Sequence, residues 1–226
     1  MVVRRSVALL ALALFAAGCT GEGNPLAVQQ PLASAPHFLR WAGTTAPQFT
    51  AIGTPAAGVV NGLLLASQSS GLALDRPVAT FWAVRGEPRS VQINYADSAG
   101  DTSSPFLRLV ITDPTYVPGQ GDLALGDSVL ITVTVDTENI AVSLEPTGLL
   151  FGDPAQLEIW YGGAGGDLNG DGVVDSTDAY VESQLLGMRY REGADGEWTD
   201  IPATHWLSDK SFTSPLPHFS VYAVSW

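Results

Sequence analysis

Between Ser128 and Asp136, Val129, Ile131, Val133 and Val135 alternate with Leu130, Thr132 and Thr134. A period of two places one β-branched row on a core and the other row on the opposite face of a strand. No internal repeat is visible, and no helix-period stretch in the chain exceeds about ten residues. Further short segments of strand character follow the same grammar. Ala79 to Arg85 and Ser90 to Tyr95 flank Gly86-Glu87-Pro88, which predicts a hairpin. Phe106 to Thr112 is stopped by Asp113-Pro114. Ile140 to Leu144, Gln156 to Tyr161, Gly187 to Arg191, Glu197 to Ile201 and His218 to Ser225 continue the series. Strands at spacings of roughly 8–12 residues with Gly, Pro and Asp turns predict an all-β, antiparallel sandwich. It is expected over residues 78–226.

The start of the chain has a different grammar. Arg4 and Arg5 precede an apolar run from Val7 to Ala17. That run is too short to span a bilayer and fits a signal peptide, here residues 1–18. Ala16-Ala17-Gly18-Cys19 resembles the bacterial lipobox, with Ala16 where that family more often carries Leu. The resemblance implies lipidation of Cys19, which would anchor an exported protein to a membrane without a spanning helix. Thr20 to Pro36, rich in Gly, Pro, Gln and Ala, reads as a tether. Within residues 37–77, His37 to Trp41 reads as a short strand, and Val59 to Ala66 is broken by the turn signal Asn61-Gly62.

Composition narrows function by exclusion. The 226 residues carry 23 acids against 10 bases, a net charge of −13, which argues against a nucleic-acid partner. Cys19 is the sole cysteine, so internal disulfides and thiolate zinc sites are ruled out. His37, His205 and His218 are too scattered for a metalloprotease helix motif.

Residues 167–178 read Asp-Leu-Asn-Gly-Asp-Gly-Val-Val-Asp-Ser-Thr-Asp. Asp167, Asn169, Asp171, Asp175 and Asp178 fall at positions 1, 3, 5, 9 and 12, with Gly172 at position 6. Alternate residues of a tightly curled loop point inward, and Ca²⁺ takes six to eight hard oxygens. The loop resembles that of EF-hands and, more closely, of dockerins. The resemblance implies ligation by Asp167, Asn169, Asp171, the Val173 carbonyl, Asp175 directly or through water, and Asp178. Val174 is expected to pack inward. Ser176 or Thr177 is expected to cap a short helix over 177–186, with Val181 and Leu185 on one face and Gly187 as its stop. Between Arg108 and Arg189 stand thirteen acids and no Lys or Arg, four of the acids in this loop. Carboxylates so crowded repel one another unless a cation lies among them.

Three segments carry a second resemblance: Thr147 to Pro154 running into a strand, Glu197 to Pro202, and His218 to Val224. Their order is similar to ZU-five-type β-sandwich modules, without that family's Ile-Pro-x-Gly-Ala stretch. The resemblance implies a structural or interaction role rather than an enzyme. Trp160, Trp198, Trp206 and Trp226, with Tyr161, Tyr190 and Tyr222, leave a carbohydrate-binding module as the alternative, to be marked by a planar exposed row of rings. His218-Phe219-Ser220 matches a tripeptide at which some ZU-five-type domains cleave themselves, and is expected here to lie packed within a terminal strand. Asp153, Glu158, Glu182 and Asp209 show no spacing that pairs them for hydrolysis. The partner beyond calcium and the membrane, protein or polysaccharide, is not specified by these residues.

Overall fold

The computed structural model describes residues 35–43, 47–54, 58–60, 63–65, 72–96, 104–193 and 195–226. The signal segment, Cys19 and nearly all of the tether lie outside these residues. The strands belong to the unit Pro36–Trp226.

The first part of the chain forms β1 (Phe49–Thr54), β2 (Gly58–Val60), β3 (Leu63–Leu65), β4 (Leu72–Ala73), β5 (Val78–Val84) and β6 (Arg89–Tyr95). Next come β7 (Ser104–Ile111), β8 (Pro114–Val117), β9 (Gly121–Asp122), β10 (Ser128–Val135), β11 (Ala141–Glu145) and the long β12 (Leu150–Trp160). After the loop follow α1 (Ser176–Tyr180), β13 (Gly187–Arg191), β14 (Trp198–Ile201), β15 (Thr204–Trp206), β16 (Ser211–His218) and β17 (Val221–Ser225). One sheet runs β14-β13-β17-β11-β10-β5, and the other runs β15-β16-β12-β7-β6-β1-β4. Every pairing within them is antiparallel. The two sheets pack as a sandwich.

β10 behaves as its alternation requires. Val129, Ile131, Val133 and Val135 are buried, while Leu130 is 44% exposed on the outer face. Burying each such aliphatic side chain contributes about 1.5–3 kcal/mol. Facing them from the other sheet are Val91, Ile93, Leu107, Leu109, Leu157 and Ile159, all in the same core. β2 and β3 pair antiparallel from Gly58↔Leu65 to Val60↔Leu63, while the turn signal Asn61-Gly62 lies outside the described residues.

The expected hairpin at Gly86-Glu87-Pro88 is corrected by the pairings. β5 pairs with β10, whereas β6 pairs with β1 and β7. The turn is therefore a crossover from one sheet to the other, with Val84 and Glu87 meeting in a single bridge. Gly86 has φ +86, which lets the chain leave one layer within three residues.

The sandwich also starts upstream of residue 78. β1 pairs along β6 from Phe49↔Tyr95 to Thr54↔Ser90. Further upstream, Phe38 bridges Ser225 and Arg40 bridges Asn139. His37 and Trp226 exchange both backbone hydrogen bonds, at 2.9 and 3.0 Å. Leu39 and Trp41 are buried, and the Trp41 indole N–H donates to the Asp136 carbonyl at 2.8 Å. Trp41 packs against Phe106, Tyr95 and Phe49, so this short segment is part of the core.

Candidate metal centre

β12 ends at Trp160, and the chain passes through Tyr161 and a single 3₁₀ turn, Gly162–Ala164, before the loop. The glycines here are required by close approach. A Cβ at Gly163 would fall 2.4 Å from Cζ3 of Trp41, and one at Gly166 would fall 3.0 Å from Cγ1 of Val174. Val174 thus lies across the loop's entrance and is 70% exposed, contrary to the inward packing expected of it. With no side chain on Gly166, Val174 rests on backbone.

Within the loop, the acidic and amide side chains fold onto the loop's own N–H groups. Asp167 Oδ1 accepts from Gly170 and Asp171, and its Oδ2 accepts from Gly172 at 2.8 Å. Asn169 Oδ1 also accepts from the Asp171 N–H, at 2.9 Å. Positions 1 and 3 therefore converge on one donor. Asp171 Oδ1 accepts from Val173 and its Oδ2 from the Asn169 amide. Gly170 and Gly172 adopt φ of +77 and +86, the left-handed bends that wrap the chain around these side chains.

The far end of the loop is a capping box. Asp175 is the N-cap of α1, accepting from Thr177 at 2.7 Å, while Asp178 Oδ2 accepts from the Asp175 N–H at 2.9 Å. The cap is thus Asp175 rather than Ser176 or Thr177. α1 runs only to Tyr180 and widens into a π-turn, Val181–Leu185. The wider turn separates Val181, which is buried, from Leu185, which is exposed. The helical stretch ends at Leu186 in extended conformation, and Gly187 opens β13 instead of acting as a left-handed stop.

Asp178 is 3% exposed. Its Oδ1 accepts from Leu168 and Asn169, so three backbone N–H groups hold this one carboxylate. The Asp175 N–H, with those of Asn169 and Leu168, stabilises the ionised form and holds its pKa below the ordinary carboxylate value, against the opposing effect of burial. The loop is tied to the sandwich beside this residue. Leu168 is buried, and its carbonyl accepts from the Trp226 indole N–H at 3.3 Å.

A carboxylate or amide oxygen has two lone pairs. By that count Asp167, Asn169, Asp171, Asp175 and Asp178 each keep at least one accepting position beyond their protein bonds. The donors are hard oxygens, the chemistry that suits Ca²⁺. The arrangement is not a closed cage: among the described residues, no three His, Cys, Asp or Glu side chains are gathered as a metal cluster.

The remaining sequence candidates are dispersed. Large exposed rings, Trp82, Tyr116, Tyr180 and Trp206, lie on β5, β8, α1 and β15, not in one row. Phe219 and Ser220 form the turn between β16 and β17, so the tripeptide is not inside a strand as expected. Both are buried, Phe219 lies against Phe151, and the Ser220 hydroxyl donates to the Arg191 carbonyl. His218 faces Glu192, 3.3 Å away. Among the described residues, no helix is long and apolar enough to cross a membrane. No family model, curated protein or solved structure matches the chain.

Proposed function

We propose that this chain is an exported, lipid-anchored surface protein whose β-sandwich carries one Ca²⁺-binding loop, with a structural or interaction role rather than an enzymatic one. The observation that carries the reading is the set of five side chains at positions 1, 3, 5, 9 and 12 of residues 167–178. Backbone N–H groups orient each of them and leave oxygen acceptors open. Asp167, Asn169, Asp171 and the Val173 carbonyl would hold the ion from one side, with Asp175 directly or through water. Asp178 would contribute through Oδ2 alone, because Oδ1 is filled by two N–H groups. Bound calcium would offset the repulsion among four carboxylates in one turn.

The likeness to dockerin and EF-hand loops supports the metal. The likeness to ZU-five-type modules, carried by residues 147–154, 197–202 and 218–224, supports the structural role. Signal peptide and lipidation rest on residues 1–19.

Calorimetry on the parent and on Asp167→Ala/Asp171→Ala tests the metal. The double variant should lose calcium binding and keep its cooperative melt, because the loop is an insertion. Equal binding by both proteins would overturn the assignment. For the anchor, Cys19→Ser should move the protein out of the membrane fraction; retention there, with cleavage before residue 19 intact, would count against lipidation.

A further inference from the structure

β10 outruns its neighbour. β11 ends at Glu145, opposite Thr132, so Ser128 to Ile131 have a strand partner only in β5. The pairings also fix which way the backbone of this stretch points. On the β11 side, Asp136 donates its N–H to the Ala141 carbonyl at 3.0 Å. On the β5 side, Val135 donates to the Pro77 carbonyl, and the Asp127 carbonyl accepts from Arg85. Alternate residues of an antiparallel strand address alternate neighbours. Even-numbered residues of β10 therefore address β11, and the Leu130 N–H and C=O point to where β11 has stopped. A cavity of about 290 Å³ lies there, with Trp82, Gln120, Leu130, Thr132, Glu145 and Pro146 in its lining. Trp82 is the cross-strand partner of Leu130, and each is 44% exposed on the outer face. Glu145 is the one charged residue of the lining, and among the described residues it enters no ion pair. No Lys or Arg stands between Arg108 and Arg189 to neutralise it from nearby in sequence.

We propose that this gap is a docking site for a basic protein partner, one extended residue of which, an Arg or Lys, takes the place that β11 leaves empty opposite Leu130. The occupant follows from the groups around the gap. A residue opposite Leu130 in an antiparallel pairing exchanges both backbone bonds with it and puts its side chain on the same face. That side chain lies beside Leu130, one strand from Trp82, and two positions along from Glu145, on the order of 7 Å. The place suits an apolar stem with a cationic head. The stem covers Leu130, the head reaches the Glu145 carboxylate, and the face of the Trp82 indole attracts the same charge. Arg suits it best, because a planar guanidinium stacks on an indole while donating to a carboxylate. A chain of net charge −13 also draws basic partners from a distance. The inference gives a partner to the interaction role proposed above, and it uses neither the calcium loop nor the anchor.

The probe is a blocked five-residue peptide with arginine at its centre and threonine and valine on either side. Titrated into the ¹⁵N-labelled protein in EDTA at low salt, it should shift the Leu130 amide and the Trp82 indole resonances, and added salt should weaken it. Replacing its arginine by glutamate should abolish the shifts. Methylating the arginine's backbone nitrogen should abolish them too, because the bond to the Leu130 carbonyl is then lost. Glu145→Gln and Trp82→Ala should each weaken binding about two- to fivefold, the worth of one exposed ion pair or one exposed cation–π contact. Glu145→Gln alters only an exposed side chain and decides the matter should Trp82→Ala fold poorly. Equal binding of the arginine and glutamate peptides, or full affinity in Glu145→Gln, would overturn the cationic occupant. Shifts that spare Leu130, or no shifts at millimolar peptide, would overturn the site. A neutral oligosaccharide that shifts Trp82 where the peptide does not would overturn it in favour of a sugar. Since EDTA removes calcium, failure here leaves the metal reading standing, and calcium calorimetry decides that reading by itself.

Discussion

The Asp178 carboxylate accepts the backbone N–H of Leu168 at 2.7 Å, joining the last and second residues of the twelve-residue loop. Because Leu168 is itself buried and receives the Trp226 indole, this one bond transmits the loop's closure to the sandwich. Calcium should therefore stabilise more than the loop. For the proposed site, a lone loop closed by Asp, the expected Kd is at the weak end, roughly 10⁻⁴–10⁻³ M. Ligand at ten times Kd then stabilises the folded state by about 1.4 kcal/mol. Thermal melts should shift upward by about 3–6 °C, reversibly with EDTA. The shift should be absent in Asp171→Ala.

Ile131 and Leu130 are neighbours on β10 with opposite fates, one buried and one exposed. Ile131→Ala should cost about 2–5 kcal/mol through lost burial and the cavity left behind. Leu130→Ser should stay within about 0.5 kcal/mol. Urea denaturation of the two variants measures the difference, and similar losses would contradict the assigned faces.

Trp41 tests where the folded unit begins. Truncation to Ala removes a buried ring and its bond to the Asp136 carbonyl, an expected loss of about 3–5 kcal/mol. Were the sandwich independent of residues upstream of 78, the midpoint of chemical unfolding would not move.

His205 makes stability depend on pH in a definite direction. Its folded pKa lies below the ordinary histidine value because burial disfavours the charged ring. The unfolded chain therefore binds the proton first as pH falls. The contribution is fully present above about pH 6.5 and is lost as pH drops from there through the folded value. Denaturation series between pH 8 and 5 should show this decline in the parent and a flatter profile in His205→Phe.

Some of this architecture is legible in the chain and some is not. β10 is legible because its pattern is local: a period of two with β-branched residues has one interpretation. The Gly86-Glu87-Pro88 turn is not, since the same residues serve a hairpin or a crossover. The choice is made by β10 and β1, whose pairing partners lie far away in sequence. His37 to Trp41 reads as a short strand, but the burial of Leu39 and Trp41 in the core is not legible, because a five-residue segment beside a Pro- and Gly-rich stretch has no periodicity to read. In the loop, the spacing of oxygen donors and the bend at Gly172 follow from the residues themselves. The exposure of Val174 does not, because it depends on a glycine eight residues earlier. Asp175 and Asp178 carry a capping-box spacing that was readable, and it explains why Asp178 is bound so tightly to backbone. The Tyr161–His205 contact spans 44 residues and leaves no local signal.

The paired hydrogen bonds between His37 and Trp226 also have a mechanical meaning. Tension applied to the chain upstream of Pro36 reaches this pair before any other strand contact described in the sandwich. The bonds from Leu39 to Val224 and from Ile140 to Leu39 stand next along the chain. Trp226 is also the residue whose indole holds Leu168. Any displacement at Pro36 would thus be felt at Leu168 as well, because one residue, Trp226, holds both the start of the folded unit and the loop.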